Sequence, residues 1–188
     1  MKPRHQLILC DLREDIVQAL GVAFAEAECV LVKRKTIVRI KCSAFATAGN
    51  SFGDMGGGVD KAIDDYSGGE YQRLVQERIR GDHFGELPVE SAVFVQPASK
   101  RPGLIYAPTM RVPGRIHPSI NAYLAMRAIL GTMIKLDLPS VACSALGTGV
   151  GGLAPEDAAD QMYQAYRMVV EGDWRAVRHS LQAPYVMR

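Results

Sequence analysis

The chain has 188 residues, 22 Lys and Arg against 20 Asp and Glu for a formal charge of +2, and 48% hydrophobic residues. That is enough apolar material for one sizeable core, so residues 1–188 are read as a single domain, and too little net charge for the whole protein to attract phosphate polyanions. No apolar stretch approaches the roughly 20 residues of a bilayer span, and the opening segment lacks the apolar centre of a signal peptide, so no membrane partner and a cytoplasmic location are expected. The longest basic cluster, Lys33-Arg34-Lys35, lies between two apolar runs and reads as a solvated turn. The four cysteines and four histidines are scattered without paired ligand spacing; this predicts free buried thiols, no disulfide framework and no metal site.

In chain order, His5–Cys10 reads as a strand, and Leu12–Ala27 as a helix with Ile16, Val17, Leu20, Phe24 and Ala27 at helical spacing. Cys29–Val32 and Thr36–Lys41 are β-branched, strand-length pieces, and Ser43–Thr47 is a short apolar strand running into a glycine-rich break from Gly49 to Gly58. Helices are predicted over Val59–Tyr66 and Glu70–Arg80, interrupted by Ser67-Gly68-Gly69. Val89–Gln96 and Leu104–Ala107, bracketed by prolines, read as strands; Ser119–Leu136 reads as a helix. Val141–Leu146 is a buried strand ending in a second glycine-rich loop, and Pro155 opens a last helix with its apolar stripe on Ala158, Met162, Ala165, Tyr166 and Val169. Strands interleaved with helices predict an α/β fold, a central mixed, mostly parallel sheet covered on both faces.

Two strands thus end in a glycine-rich loop that leads into a helix. The first loop runs Ala48-Gly49-Asn50-Ser51-Phe52-Gly53-Asp54-Met55-Gly56-Gly57-Gly58-Val59-Asp60, and the second Gly147-Thr148-Gly149-Val150-Gly151-Gly152. Glycines at such a place let an anion approach backbone N–H groups that side chains would shield. Neither loop has the Gly-Lys-Ser/Thr of a triphosphate-binding P-loop, nor does either form the dinucleotide fingerprint after the first strand. Two equivalent loops together point to a diphosphate site. Asp60 could serve as a general base or, equally, stabilise the start of its helix; Asn50 could contact ligand or shape its loop.

On these residues the sequence resembles the macrodomain family, whose members bind ADP-ribose and in some branches hydrolyse ADP-ribosyl linkages. Ala48-Gly49-Asn50-Ser51 followed by Gly56-Gly57-Gly58-Val59-Asp60 is similar to the family's Ala-Ala-Asn segment and glycine-rich loop, and Gly147-Thr148-Gly149-Val150 to its phosphate-binding loop. The resemblance implies a three-layer α/β/α fold and a diverged member of the Appr-1''-p processing type, with ADP-ribose or an ADP-ribosylated macromolecule as partner, no cofactor, and a metal-independent hydrolase activity. It implies that Asn50 contacts the distal ribose and that Asp60 activates a water there. Gly56, Gly57, Gly58 and Val59 would bind the diphosphate and ribose together with the second loop, whose Gly147, Thr148, Gly149, Val150 and Gly151 would wrap the diphosphate. A non-catalytic reader of ADP-ribose, or of another phosphorylated nucleotide metabolite, is the alternative; RNA binding is a third reading that the small net charge disfavours.

Three positions depart from the family pattern. Thr36 stands where the family places the carboxylate that pairs with the adenine amino group, and losing a charged hydrogen bond of about 1.5 to 3 kcal/mol predicts weaker adenine binding. Ser43 stands where the family often has Asp, and Gly151 where many relatives have an aromatic. Asp11 is read as a loop or helix-start residue, Phe52 as core, and Arg111 as a carboxylate-paired surface arginine rather than a phosphate contact.

Overall fold

A computed structural model describes residues 5–179. Strands β1 (Gln6–Asp11), β2 (Val30–Arg34), β3 (Ala44–Thr47), β4 (Val93–Val95), β5 (Gly103–Tyr106) and β6 (Ser140–Cys143) form one sheet in the order β2-β1-β6-β3-β5-β4. All neighbours are parallel except β4, which runs antiparallel to β5 at one edge. Helices α1 (Glu14–Ala23), α2 (Gly58–Ser67), α3 (Glu70–Asp82), α4 (Asn121–Lys135) and α5 (Pro155–Tyr166) cover it.

The alternation of side chains along each strand decides which helices lie on which face. Leu7, Leu9, Ala44, Ala46, Val141 and Cys143 point to one side, where Ile16 and Leu20 of α1, Met126 and Ile129 of α4, and Ala158 and Met162 of α5 complete a core. Ile8, Cys10, Phe45, Ala142, Leu104 and Tyr106 point to the other, against Ile63 of α2 and Tyr71, Val75 and Ile79 of α3. Both faces are covered, giving the three-layer α/β/α arrangement expected of a mostly parallel sheet.

Several local expectations change. Thr36–Lys41 is not a strand: Ile37–Arg39 forms a single 3-10 turn, in which Ile37 and Ile40, three residues apart, are both buried. Val89–Gln96 contributes only the three residues of β4, because Glu90 takes a left-handed φ of 83° that ends extended structure before Ala92. Lys33 and Arg34 lie on β2, opposite Cys10 and Asp11, rather than in a turn. Charge on this edge strand guards it against pairing with another chain. Among the cysteines, Cys10 and Cys143 are buried while Cys29 and Cys42 are only half-buried, and all are free. Burial pushes the Cys10 thiol up to about 12, so it behaves as a small apolar core group.

β1 leads through α1 to β2 on one side of the sheet, while β3 leads through α2 and α3 to β4 and β5 on the other. Chain connections diverge around β6, and a crevice opens beyond the carboxyl ends of β1, β6 and β3, where ligands bind in open α/β sheets.

Candidate functional site

The crevice has a volume of about 460 Å³ and is walled by the segments after β1, β3 and β6 together with the first turn of α2. Asn50, Gly56, Gly57, Gly58, Val59, Asp60, Gly147, Thr148, Gly149, Val150 and Gly151 all line it. Thr36 does not; it opens the 3-10 turn, its carbonyl accepting the Arg39 N–H at 3.1 Å.

The first loop is fastened from within. Asn50 is 6% exposed, its Nδ2 donates to the Asp54 carbonyl at 3.1 Å and its Oδ1 accepts the Phe52 N–H at 3.0 Å. The Asn50 side chain therefore sets the loop's shape through an Asx-type bond. The Tyr106 hydroxyl, fully buried on β5, accepts the Asn50 N–H and donates to the Asn50 carbonyl, both at 2.9 Å. That contact explains Gly49: a Cβ there would overlap the Tyr106 ring and hydroxyl. Outward bonds from Ser51 N–H to the Arg111 carbonyl at 3.1 Å and from Leu87 N–H to the Ser51 carbonyl at 2.8 Å fasten the loop to its neighbours.

Asp60 occupies the first turn of α2 with its carboxylate facing the sheet, and its Oδ1 accepts a hydrogen bond from the Thr47 hydroxyl at the end of β3. Burial pushes its pKa up to about 7; the Thr47 bond pulls the other way, and the nearby negative charge of Asp54 adds to the rise. A carboxyl poised near neutrality can exchange a proton with a water or hydroxyl at working pH.

The second loop turns at Gly147, whose φ is +80°. The Gly151 carbonyl accepts the Ile116 N–H at 2.9 Å and the Gly147 carbonyl accepts the Leu153 N–H at 3.0 Å. A Cβ on Gly151 would stand 2.6 Å from the Gly147 carbonyl oxygen. An aromatic cannot occupy that position in this backbone. Among the described residues, no intrachain acceptor receives the backbone N–H of Thr148, Gly149, Val150 or Gly151, nor that of Gly58, Val59 or Asp60 at the start of α2. Two sets of free donors face one crevice, a nest and a helix N-terminus, the combination that binds phosphate.

Two glycines here are not required by the fold. Gly57 has an extended φ of −141° that any residue adopts, and a Cβ on Gly57 or on Gly149 would meet nothing within 4 Å among the described residues. Their missing side chains leave space for something other than the chain itself.

Sequence reasoning missed part of this wall. Asp11, at the end of β1, lines the crevice with Arg13 and Ile16. The parallel pairing of β1 with β2 brings Asp11 beside the Thr36 position, since the Lys35 N–H donates to the Asp11 carbonyl at 3.0 Å. Among the described residues its Oδ1 takes only the Arg13 N–H, at 2.9 Å, leaving carboxylate lone pairs over. Thr109, 1% exposed, also lines the crevice, and its Oγ1 has no hydrogen-bond partner among the described residues. The only cation among the described residues of the wall, Arg13, is ion-paired with Asp15. Arg111 pairs with Glu86 through two bonds of 2.6 and 2.9 Å and does not line the crevice. Phe52 is 41% exposed rather than core, with the Arg111 guanidinium 5.6 Å from its ring centroid.

Comparison with known proteins adds to this geometry. The sequence model of the Macro domain family matches residues 46–162. An uncharacterized protein of Aquifex aeolicus is 33% identical over 139 residues, 73% of this chain and 81% of the relative. One from Aeropyrum pernix is 31% identical over 139 residues, 73% of this chain and 70% of its own. Among solved structures, the macrodomain of Mycobacterium tuberculosis DarG superposes with a TM-score of 0.62 at 20% identity, covering 71% of this chain and 87% of its own. The Oceanobacillus iheyensis macrodomain with ADP superposes with a TM-score of 0.61 at 22% identity, covering 70% of each chain.

Proposed function

We propose, from the premise that this chain belongs to the macro domain family, that its crevice binds ADP-ribose and hydrolyses an ADP-ribosyl linkage on an acceptor. The observation that carries this reading is the convergence of two sets of unpartnered backbone N–H groups, from Thr148–Gly151 and from the start of α2, on one crevice that holds no free cation among its described residues. Donors of this kind suit a diphosphate held by dipoles instead of by charge. The Gly147–Gly151 loop wraps the diphosphate, and Gly56–Val59 give the distal ribose room. Asn50 faces that ribose. Asp60, ionised, takes a proton from the water that attacks the anomeric carbon, the bond to the acceptor breaking as the new C–O bond forms. At the other end, Asp11 accepts from the exocyclic amino group of adenine, the service expected at position 36 and absent from Thr36.

Calorimetric titration with ADP-ribose tests the binding step: micromolar affinity, roughly −8 kcal/mol, is expected, and no heat at millimolar ligand refutes it. Release of ADP-ribose from a modified acceptor tests the chemistry. Asp60→Asn is expected to slow it at least about 100-fold, the usual loss for a general base, and wild-type turnover by that variant removes Asp60 from the mechanism.

A second reading, a non-catalytic reader, draws on Asn50, whose amide is already engaged with Phe52 and Asp54. It predicts saturable binding with no product from any acceptor.

A further inference from the structure

The same strands that feed the crevice have a second feature at their other ends. Ahead of β3 and β5, a groove of about 440 Å³ is lined by the 38–43 segment, by Lys100 to Pro102 and by Tyr66. Four cations stand on it, Arg39, Lys41, Lys100 and Arg101, and no carboxylate is among its described lining residues. The side chains of Arg39, Lys41 and Lys100 have no hydrogen bond or ion pair with the described chain. Elsewhere Arg13, Arg34, Lys61, Arg73, Arg78 and Arg111 are each paired with a carboxylate, whereas Lys33, Lys35, Arg115 and Lys135 lack such a partner among the described residues but do not line this groove. Arg101 is braced in place, donating to Ser99 Oγ at 3.1 Å and lying 5.6 Å from the Tyr66 ring centroid. Tyr66 is itself 41% exposed.

Four like charges on one groove without a carboxylate among its described lining residues repel one another and create a local positive potential that favours an anion. A single inorganic phosphate does not account for the arrangement, because the cations are spread along two flanks of an open groove instead of converging on one enclosed point. Repeated phosphates along a flexible backbone match two flanks of cations, and an exposed aromatic beside them adds a surface for a base. The strands between groove and crevice are four residues long, a separation of about 13 Å, so both can be occupied at once.

We propose that this groove binds the backbone of a single-stranded nucleic acid, independently of the crevice. The test is fluorescence anisotropy of a labelled 12-nucleotide oligothymidylate with the intact protein, titrated between 50 and 200 mM KCl. With three to four phosphates neutralised and a slope of about −0.7 for each, affinity is expected to fall about 20- to 50-fold across that range. The double variant Lys41→Ala with Lys100→Ala, its melting temperature matching the wild type, is expected to bind more weakly and to lose about half of that slope. Saturating ADP-ribose is expected to leave oligonucleotide binding unchanged. The proposal is overturned by no binding at 50 mM salt, by a double variant that binds like the wild type, or by displacement with ADP-ribose. Equal affinity for anionic phosphatidylserine vesicles also overturns it. Apart from the ADP-ribose arm, these readouts do not depend on whether the crevice binds ADP-ribose.

Discussion

Asp60→Asn separates what the carboxylate does for chemistry from what it costs the fold. The folded protein holds the Asp60 proton up to about pH 7, whereas an aspartate in an unfolded chain releases it near 3.9. Between those values the native state binds more protons than the unfolded state, so stability falls as pH rises and levels off above about 7. Three pKa units correspond to about 4 kcal/mol. Asparagine is nearly isosteric with the protonated carboxyl, and its Oδ1 can still accept the Thr47 hydroxyl. The variant should therefore match wild type near pH 4 and exceed it by up to about 4 kcal/mol at pH 8, a rise of roughly 10 °C in Tm for a chain of this size. Urea unfolding at half-unit pH steps measures the difference. A variant advantage that is constant with pH, or a variant less stable at pH 8, refutes the buried-acid account. Over the same window the hydrolysis rate of the wild type should climb with an apparent pKa near 7, so the pH range that weakens the fold is the one that arms the base.

Gly149→Val adds a side chain where, among the described residues, a Cβ would meet nothing within 4 Å; melting temperature should change by no more than a few degrees while ADP-ribose affinity drops at least tenfold, and a binding-competent variant would show that the space is not the ligand's. Gly49→Ala should destabilise the protein by about 2 kcal/mol or more in urea titration, since its Cβ overlaps Tyr106. Thr109→Val removes a buried hydroxyl with no partner among the described residues, so the free protein should gain about 1 kcal/mol in the same assay while ADP-ribose affinity falls about fivefold by calorimetry. Asp11→Ala should weaken ADP-ribose about tenfold and leave the inosine analogue, which carries a carbonyl in place of the amino group, unaffected; equal losses for both ligands would take Asp11 away from the base.

Much of the sheet is legible in the sequence because apolar runs of strand length end at glycine or proline. Both glycine-rich loops are legible too, because glycines packed between a strand and a helix sacrifice backbone entropy that a buried turn alone does not require. The Thr36–Lys41 segment misleads because β-branched residues suit strands, although the three-residue spacing of buried Ile37 and Ile40 carries the signature of a tight helical turn. Asp11 is hidden by chain distance. Only the pairing of β1 with β2, 23 residues apart at Cys10↔Lys33, shows that it stands beside the Thr36 position. The unpaired basic groove is invisible for the same reason: Arg39 and Lys41 come from one segment and Lys100 and Arg101 from another, so no dense run of charge exists to be read. Thr109 gives no signal, because an unsatisfied hydroxyl is a property of packing and not of spelling.

The position of β1 has a consequence for how the protein is made. It lies in the interior of the sheet, paired with β2 on one side and with β6 on the other, with Ile8 opposite Ala142. During synthesis at about 5 to 20 residues per second, β1 emerges roughly 7 to 27 seconds before its second neighbour. Over that interval Leu7, Ile8 and Leu9 present an apolar strand with one bare edge, open to any other nascent chain. Trimming the protein to the family-matched residues 46–162 would make that exposure permanent on β6. Soluble yield should then depend on retaining β1 and α1 and on holding the growing chain apart from its neighbours until Ser140–Cys143 arrives.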